Sequence, residues 1–300
     1  MMRILVTGGT VFASRYTAEY FAKKGHEVWV LNRGSKPQSP NVRHICADRY
    51  SLGDTLKKHS FDAVLDVTSY NENDVRTLNE ALGDFGSYVF ISSSAVYPET
   101  LPQPFCEDME CGANSIWGTY GTDKLAAEKW LGSNVENAYI LRPPYLYGAM
   151  NNLYREAFVL ECAEEGRPFF VPKDGRMRLQ FFNITDLCRF MELILEHKPE
   201  QHILNVGNPD TVSIEEWVRL CYGVLGKEPE LRFVGAEVPQ RSYFPFYDYE
   251  YVLDVAEMSR LMPQVTQFDT GLCESYLWFR DNRSLIVRKP LLDYIGKNLM

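Results

Sequence analysis

The sequence has no long apolar segment and no positively charged run. Its first seven residues hold only a short apolar stretch, and no part of the chain approaches the roughly 20 apolar residues of a membrane span. The net charge is −9 at pH 7, without the lysine and arginine cluster that follows a nucleic-acid backbone. These absences argue against a membrane protein and against nucleic acid as the main partner, and they predict a cytoplasmic protein.

Cysteine is present without a metal-binding or disulfide pattern. The seven cysteines include no Cys-x-x-Cys pair and no cysteine–histidine cluster at metal-ligand spacing. We therefore expect reduced, mostly buried thiols and no metal site. The composition, 45% hydrophobic and 24% charged over 300 residues, is typical of a globular chain with one large core or two lobes.

Short apolar runs alternate with helical patterns over the first half of the chain. The predicted strands are 3–6, 26–31, 42–46, 63–67, 88–92 and 138–142, and the predicted helices are 16–24, 51–59, 73–82 and 115–131. This alternation predicts an α/β fold with a parallel, doubly wound sheet. The alternation fades beyond Gly148, where a smaller second lobe is expected to begin.

The first predicted strand ends in the glycine turn Gly8-Gly9-Thr10-Val11-Phe12. In a Rossmann fold such a turn brings the amides of the next helix close to the pyrophosphate of a dinucleotide. The usual pattern has further glycines where this chain has Val11 and Ser14, so Gly8 is the only fingerprint glycine retained. Serine is small enough for packing, whereas valine crowds the pyrophosphate unless its side chain points away.

The turn and the strand pattern predict two structural units. Residues 1–150 would form a dinucleotide-binding Rossmann domain, and residues 183–207 would return to it with a helix and a last core strand. Residues 151–182 and 208–300 would form a substrate-binding lobe. A helix over 213–225 is expected to begin with a capping box, because Glu216 follows Ser213 by three residues.

The residues after the second and third strands bear on the choice of cofactor. A dinucleotide site usually has an acidic residue here for the adenosine 2′-hydroxyl, whereas this chain has Asn32, Arg33 and Ser35. Arg33 and Ser35 suit a 2′-phosphate, which slightly favours NADP over NAD. Arg33 would otherwise belong to a solvated turn. Asp48 would either accept a hydrogen bond from the adenine amino group or cap the next turn.

Tyr120 and Lys124 are four residues apart in a predicted helix, which puts both on one face. An ammonium group beside a phenol favours the phenolate, so Tyr120 is predicted to act as acid or base below the ordinary tyrosine pKa of about 10. A serine at the end of strand 88–92 would orient the substrate oxygen. Considered alone, the pair is also consistent with a surface aromatic and a solvated cation.

Together these motifs resemble the extended short-chain dehydrogenase/reductases, the NAD-dependent epimerase/dehydratase family, over nearly the whole chain. The resemblance is carried by TGGT at 7–10, ADR at 47–49, FISSSAVY at 90–97, YGTDK at 120–124, LRPPYLYG at 141–148 and NVG at 205–207. It implies an enzyme acting mostly on nucleotide sugars. Tyr120 would be the acid/base, and Lys124 would bind the nicotinamide ribose and lower the tyrosine pKa. Ser93, or Ser94 if the turn is shifted, would bind the reacting oxygen.

The resemblance also implies contacts with ligands and with a second copy of the chain. The implied cofactor-binding residues are Gly8, Gly9, Thr10, Val11, Phe12, Asn32, Arg33, Ser35, Asp48 and Lys124. Asn152 resembles a phosphate-contacting asparagine, and Arg178 and Arg241 are candidates for the diphosphate of the substrate, although both also fit ordinary structural arginines. A homodimer formed by the tyrosine–lysine helix and its predecessor is expected.

Several reactions remain open within this family. Sugar 4,6-dehydratases carry an Asp-Glu pair where this chain has Ser94 and Ala95, so we expect no elimination of water. Epimerisation and NADP(H)-dependent reduction of a ketone, including one that is not a nucleotide sugar, need the same residues. A further alternative is a non-catalytic RNA-binding relative, because Val11 and the segment Asn32–Gly34 are similar to a branch that includes chloroplast RNA-binding proteins. The net charge and the complete Ser93, Tyr120 and Lys124 set favour an enzyme.

Overall fold

A seven-stranded sheet forms the first part of the molecule and short strand pairs form the second, in a computed structural model that describes residues 1–300. The strands are β1 (Arg3–Thr7), β2 (Glu27–Asn32), β3 (Arg43–Cys46), β4 (Phe61–Asp66), β5 (Phe85–Ile91), β6 (Ala138–Arg142), β7 (Tyr145–Tyr147), β8 (Phe169–Pro172), β9 (Arg178–Leu179), β10 (Phe181–Asn183), β11 (Ile203–Asn205), β12 (Val212–Ser213) and β13 (Leu231–Val234). The helices are α1 (Phe12–Lys23), α2 (Glu72–Ala81), α3 (Thr119–Asn134), α4 (Glu156–Glu165), α5 (Ile184–His197), α6 (Ile214–Gly223), α7 (Ala256–Leu261), α8 (Phe268–Asp281) and α9 (Leu291–Asn298).

The large sheet is entirely parallel, with strand order β11-β6-β5-β4-β1-β2-β3. The chain starts in the middle at β1, runs outward to β3, and then crosses back to β4 on the other side. This reversal leaves a crevice at the carboxyl ends of β1 and β4, where doubly wound sheets bind their ligands. The predicted α/β fold class is confirmed.

Each sheet strand sends alternate residues to opposite faces, as strand geometry requires. Ile4 and Val6 of β1 belong to a core that also contains Phe21 of α1 and Met191 of α5. Leu5, between them, belongs to a second core together with residues of α2 and α3. Helices therefore cover both faces of the sheet.

Three two-stranded units lie outside the large sheet, and we refer to them and the helices packed on them as the second lobe. β7 pairs with β10 and β8 with β13 in parallel, while β9 pairs with β12 antiparallel. At its centre Phe181 stacks on Trp217 with ring centroids 3.8 Å apart. The core of 60 buried residues that contains Ile4 of the sheet also contains Phe181, Trp217 and Ile295. One continuous apolar core thus links the sheet to the second lobe.

Most predicted elements are found within a few residues, with one clear exception. The capping box of α6 is confirmed, because the Glu216 amide donates to the Ser213 hydroxyl and the Glu216 carboxylate accepts from the Ser213 amide. The predicted helix over 51–59 is wrong. A 3-10 turn at Arg49–Ser51 and further turns occupy this region, and Gly53 has a positive φ of 49°. Leu52 and Leu56 are both buried. Their four-residue spacing, which suggested one face of a helix, therefore belongs to two buried side chains in turns.

The cysteine prediction is only half right. All seven cysteines are free, but only Cys162, Cys188 and Cys221 are buried. No helix in the structure has the length and apolar character needed to cross a membrane.

Candidate active site

Two adjoining cavities lie along the carboxyl edge of the sheet. The larger one, of about 520 Å³, is lined by residues of β5, α3 and the second lobe. The smaller one, of about 320 Å³, is lined by residues that follow β1, β2, β3 and β4. Tyr70 lines both cavities, so they adjoin at the switch point of the sheet, and we refer to the pair as the groove.

The glycine turn at the switch point has no room for side chains. Gly8 and Gly9 have positive φ angles of 88° and 85°. A Cβ atom on Gly9 would lie 2.5 Å from a methyl carbon of Val30, and one on Gly8 would lie 2.7 Å from a methyl carbon of Thr68. Both glycines are therefore required by the backbone conformation and by close packing.

Helix α1 begins directly after this turn and has a free N-terminus. Val11 is its N-cap residue and supplies no side-chain hydrogen bond, and the first turn contains no acidic residue. Val11 has extended backbone angles (φ −140°, ψ 138°), so the position does not require glycine, whereas Phe12 has a positive φ of 34°. The buried Ser14 donates its hydroxyl hydrogen to the Val11 carbonyl. Amides at an uncapped helix start suit an anion such as a pyrophosphate.

The residues after β2 divide between structural roles and the smaller cavity. The side-chain amide of Asn32 donates to the Gly8 carbonyl at 2.6 Å and to Gln38 at 2.9 Å, so it holds the glycine turn. Arg33 lines the smaller cavity, but Ser35 does not. Asp48 lines that cavity and also caps the next turn by accepting from the Tyr50 amide at 3.0 Å.

Two carboxylates, and an arginine that is paired with one of them, line the smaller cavity. Asp74 lines it beside Asp48, and the Asp74 carboxylate accepts from the Tyr50 hydroxyl and the Tyr70 amide. Arg49 lies 3.6 Å from Asp74 and donates to the hydroxyls of Thr68 and Ser69. Arg33 is therefore the only arginine in this cavity without a carboxylate partner.

Tyr120 and Ser93 lie in the larger cavity. Tyr120 is the second residue of α3, and Ser93 follows β5 as the cap of a short 3-10 turn, where its hydroxyl accepts from the Ala95 amide. Burial raises the pKa of Tyr120, while contact with the Ser93 hydroxyl and the charge of Arg155 lower it. Gly121 lets α3 pack closely against the turn that follows Ser93, because a Cβ at Gly121 would lie 2.2 Å from the Ala95 carbonyl oxygen.

Lys124 lies one turn further along α3 and is almost completely buried. Its ammonium group donates to the carbonyls of Ser69 at 2.6 Å and Ile91 at 2.7 Å. Burial lowers the pKa of Lys124 to about 8, although nearby carboxylates, Asp66 first, act in the opposite direction. Lys124 is not among the groups that lower the pKa of Tyr120, contrary to the prediction made from their spacing.

A buried network of hydrogen bonds and one ion pair holds the end of β5 and Ser92 in place. Arg142 of β6 pairs with Glu128 of α3 at 2.6 Å, and Glu128 also accepts from the Ser92 hydroxyl. The Tyr97 hydroxyl accepts from Arg142 and donates to the Asn205 side chain of β11, both at 2.8 Å. The network connects β5, β6, α3 and β11 directly beside Ser93.

The predicted substrate residues are only partly brought together. Ser94 and Arg241 line the larger cavity, and the Arg241 guanidinium stacks over Tyr247 at 4.5 Å. Asn152 does not line it; its backbone carbonyl accepts from the Val287 amide. Arg178 does not line it either. The side chains of the two residues of β9 point to opposite sides of the strand. Leu179 is therefore buried, and Arg178 points outward and pairs with Glu250 at 2.7 Å.

Two cations of the cavity were missed by sequence reasoning. Arg155 stands just before α4 and stacks over the Tyr145 ring at 4.8 Å, and Lys289 comes from the segment between α8 and α9. Neither Arg155, Arg241 nor Lys289 forms an ion pair, and no aspartate or glutamate lines the cavity. Arg155 lies three residues after Asn152, the asparagine that resembles a phosphate-contacting residue, and this proximity could have indicated it as a substrate-binding candidate. No local pattern in the sequence indicates Lys289.

Sequence comparison identifies the family. The profile of the NAD dependent epimerase/dehydratase family matches residues 4–207. The chain is 26% identical to the chloroplast stem-loop binding protein of 41 kDa b of Arabidopsis thaliana, over 91% of this chain and 78% of the relative. It is 25% identical to a UDP-N-acetyl-alpha-D-glucosaminuronate decarboxylase of Bacillus cytotoxicus, over 93% of this chain and 98% of the relative.

A solved structure shows the same fold. The dTDP-glucose 4,6-dehydratase of Bacillus anthracis, crystallised with NAD, superimposes with a TM-score of 0.77 at 19% identity, over 97% of this chain and 100% of the other. The chain belongs to the NAD-dependent epimerase/dehydratase family of short-chain dehydrogenase/reductases. It is an NAD-dependent enzyme by this membership.

Proposed function

We propose that this protein is a nucleotide-sugar epimerase that uses retained NAD. The observation that carries the proposal is the groove of two adjoining cavities. Tyr120 and Ser93 line the larger cavity together with Arg155, Arg241 and Lys289, and Gly8 of the glycine turn lines the smaller one. A dinucleotide over the switch point and a sugar diphosphate in the second lobe would meet at these two side chains. The decarboxylase of Bacillus cytotoxicus, a relative along nearly the whole chain, carries a nucleotide sugar in its name.

The residues of the groove fit NAD. The closely packed Gly8 and Gly9 and the uncapped start of α1 would hold the pyrophosphate, and Lys124 would lie at the nicotinamide ribose. The carboxylates of Asp48 and Asp74 would repel the 2′-phosphate of NADP, and Ser35 lies outside the cavity. We therefore favour NAD over the NADP that the sequence slightly preferred.

The chemistry requires one proton carrier and one oxygen-binding group. Bound NAD would supply the hydride acceptor for the sugar carbon and the hydride donor for the opposite face of the keto sugar. Tyr120 would take the hydroxyl proton as the hydride leaves and give it back afterwards, so no net redox change occurs. Ser93 would donate a hydrogen bond to the reacting oxygen. Because the same proton is given back, Tyr120 would be in its starting state after each turnover.

Elimination of water is not part of the proposal. A dehydratase needs a carboxylic acid at the leaving hydroxyl and a base at the neighbouring carbon. No aspartate or glutamate lines the larger cavity, and Ser94 and Ala95 occupy the positions where the dehydratase pair would stand. The cavity therefore supports oxidation and reduction at one carbon.

The test is turnover of UDP- and dTDP-linked hexoses by the purified protein, with product epimers separated by chromatography and bound NAD measured after denaturation. Tyr120→Phe should lower turnover by at least about 100-fold while NAD binding is retained. Tyr70→Phe is the matched control, because its ring lies 6.3 Å from that of Tyr120 and it lines the same groove. Undiminished turnover by Tyr120→Phe would refute the mechanism, and net consumption of NADH would indicate a reductase instead.

The similarity to the chloroplast stem-loop binding protein calls for a second measurement, the binding of stem-loop RNA. Stem-loop RNA should bind weakly at physiological salt, because the chain carries a net charge of −9. Tight, salt-sensitive RNA binding by a protein that binds no NAD would overturn the proposal in favour of an RNA-binding function.

The proposal includes a homodimer in the cytoplasm. Helices α2 and α3 pack side by side over one face of the sheet, and the family resemblance makes them the expected contact surface. The free state of all seven cysteines supports a reducing compartment. Light scattering measures the mass directly, and a value of one chain would exclude the dimer.

A further inference from the structure

The segment between α8 and α9 supplies two residues of the larger cavity, Val287 and Lys289. The Val287 amide donates to the Asn152 carbonyl at 2.8 Å, and Leu153 and Val287 form an isolated parallel bridge. Residues 283–289, which we refer to as the strap, therefore complete the cavity wall beside the segment that precedes α4.

Two ion pairs hold the strap on α4. Arg283 pairs with Glu164 at 2.5 Å, and Arg288 pairs with Glu161 at 2.8 Å. Glu161 and Glu164 are three residues apart on α4, so both carboxylates face the same side of the helix. The arginine side chains are partly exposed, whereas the carboxylates are largely buried. None of these four residues lines the larger cavity, so the strap is anchored from outside it.

The Glu161 carboxylate connects the strap with the cavity wall. One of its oxygens accepts from the Arg288 guanidinium at 2.8 Å, and the other accepts from the Tyr154 hydroxyl. Tyr154 is buried and lines the larger cavity. On the other side of Lys289, α9 begins two residues later with the buried Leu291. The backbone of Lys289 is thus held on both sides, by the Arg288 pair and by the packing of α9.

Lys289 has the fewest contacts among the cations of the larger cavity. These cations are Lys124, Arg155, Arg241 and Lys289. Lys124 donates to two carbonyls, and Arg155 and Arg241 each stack on a tyrosine ring. Lys289 has no polar or aromatic partner. An ammonium group binds a phosphate as a point charge, and it binds more tightly when its position is restricted before the ligand arrives.

We propose that Arg288 is a positioning residue, which by pairing with Glu161 holds the strap so that Lys289 reaches the phosphates of a bound nucleotide sugar. This inference rests on the proposed function and adds to it a residue outside the cavity. Arg288 touches no ligand, so its loss should weaken ligand binding and leave the chemical step unchanged. The effect should disappear when Lys289 is absent, because Arg288 acts through it.

The experiment measures the binding of UDP-glucose and dTDP-glucose to NAD-loaded protein by calorimetry, together with KM and kcat for the nucleotide sugar that is turned over. Arg288→Met should raise the dissociation constant about 3- to 10-fold, the effect of one partly buried ion pair, with kcat and NAD affinity unchanged. Arg288→Lys should restore part of this loss, because the charge is retained. The double variant Arg288→Met/Lys289→Met should bind no more weakly than Lys289→Met alone.

Arg219→Met is the matched control variant. The Arg219 side chain is 46% exposed, against 45% for Arg288, and it pairs with Glu215 on α6 outside the cavity. Its removal should leave the dissociation constant unchanged. A loss of affinity as large as that of Arg288→Met would assign the effect to the lost surface charge and overturn the inference.

Two further results would overturn the inference, and they differ in what they leave standing. Unchanged affinity in Arg288→Met, or effects of Arg288→Met and Lys289→Met that multiply in the double variant, would refute the positioning role and keep the proposed function. If the wild-type protein bound neither nucleotide sugar, the proposed function would fail and the inference with it.

Discussion

The ammonium group of Lys124 is bound to two backbone carbonyls in a part of the protein that water hardly reaches. Ser69 follows β4 and Ile91 ends β5, so Lys124 ties the ends of two neighbouring strands together beside Tyr120. The free energy of burying a charge opposes these hydrogen bonds and is the reason for the lowered pKa. Lys124 is therefore a structural element of the groove before any ligand arrives.

This burial predicts a pH dependence of stability in the cofactor-free protein. The pKa of Lys124 is about 8 when folded, below its ordinary value of 10.5. Between these values the unfolded chain binds more protons, so stability rises with pH. Chemical denaturation should show wild type gaining about 2 kcal/mol relative to Lys124→Met between pH 7 and pH 10.

The control for this measurement is Lys129→Met, which removes an exposed ammonium group from the same helix. Because Lys129 is solvated, a parallel change in that variant would assign the effect to the overall charge of α3. A difference between wild type and Lys124→Met that stays constant with pH would contradict the buried ammonium.

At the residue level, chain order and local spacing carry part of the information about the cavity. Tyr120, Lys124 and Ser93 each follow from a short motif, and the structure brings all three to one cavity. Arg155 and Lys289 reach the same cavity through the path of the second lobe, which no local pattern encodes. The two backbone carbonyls that hold the Lys124 ammonium group could likewise not be predicted from the sequence.

Among the elements, the turn between β1 and α1 is the most tightly specified. Gly9→Ala places a Cβ 2.5 Å from Val30 at a φ of 85° and should destabilise the protein by about 2 to 4 kcal/mol. It should also weaken NAD binding, because the turn must shift. Thermal unfolding and NAD titration measure the two effects.

Gly25→Ala separates the two causes. Gly25 has nearly the same φ, 87°, but a Cβ there would meet no atom within 4 Å. We expect a loss of about 1 kcal/mol from backbone conformation alone, with NAD binding unchanged. Equal effects in the two variants would mean that contact with Val30 is unimportant.

Elements were predictable in proportion to their length. The strands of the large sheet and helices such as α2 and α5 bury a regular pattern that the sequence displays. The strand pairs of the second lobe include β9 and β12, which have two residues each and carry no periodic signal. The helix that was predicted over 51–59 is the opposite error, because the sequence suggested a regular element where there is none. Two buried leucines four residues apart belong to turns in this region.

At the scale of the whole molecule, the two lobes are not independent. The apolar core is shared, and the edge strand β11 is reached only after the chain has crossed β7 to β10 of the second lobe. We expect thermal unfolding in one cooperative transition, with tryptophan fluorescence and far-UV circular dichroism giving the same midpoint. Two separated transitions would show that the sheet is stable without the second lobe.

The absence of carboxylates from the larger cavity has a consequence for the ionic form of the substrate. Nucleoside diphosphates in solution associate with Mg²⁺, which prefers oxygen ligands and phosphate oxygens. A pocket lined by Arg155, Arg241 and Lys289, without an acidic side chain, repels a divalent cation and competes with it for the same phosphate oxygens. We therefore expect a nucleoside diphosphate to bind in its metal-free form, so that initial rates at constant total substrate fall as millimolar Mg²⁺ is added.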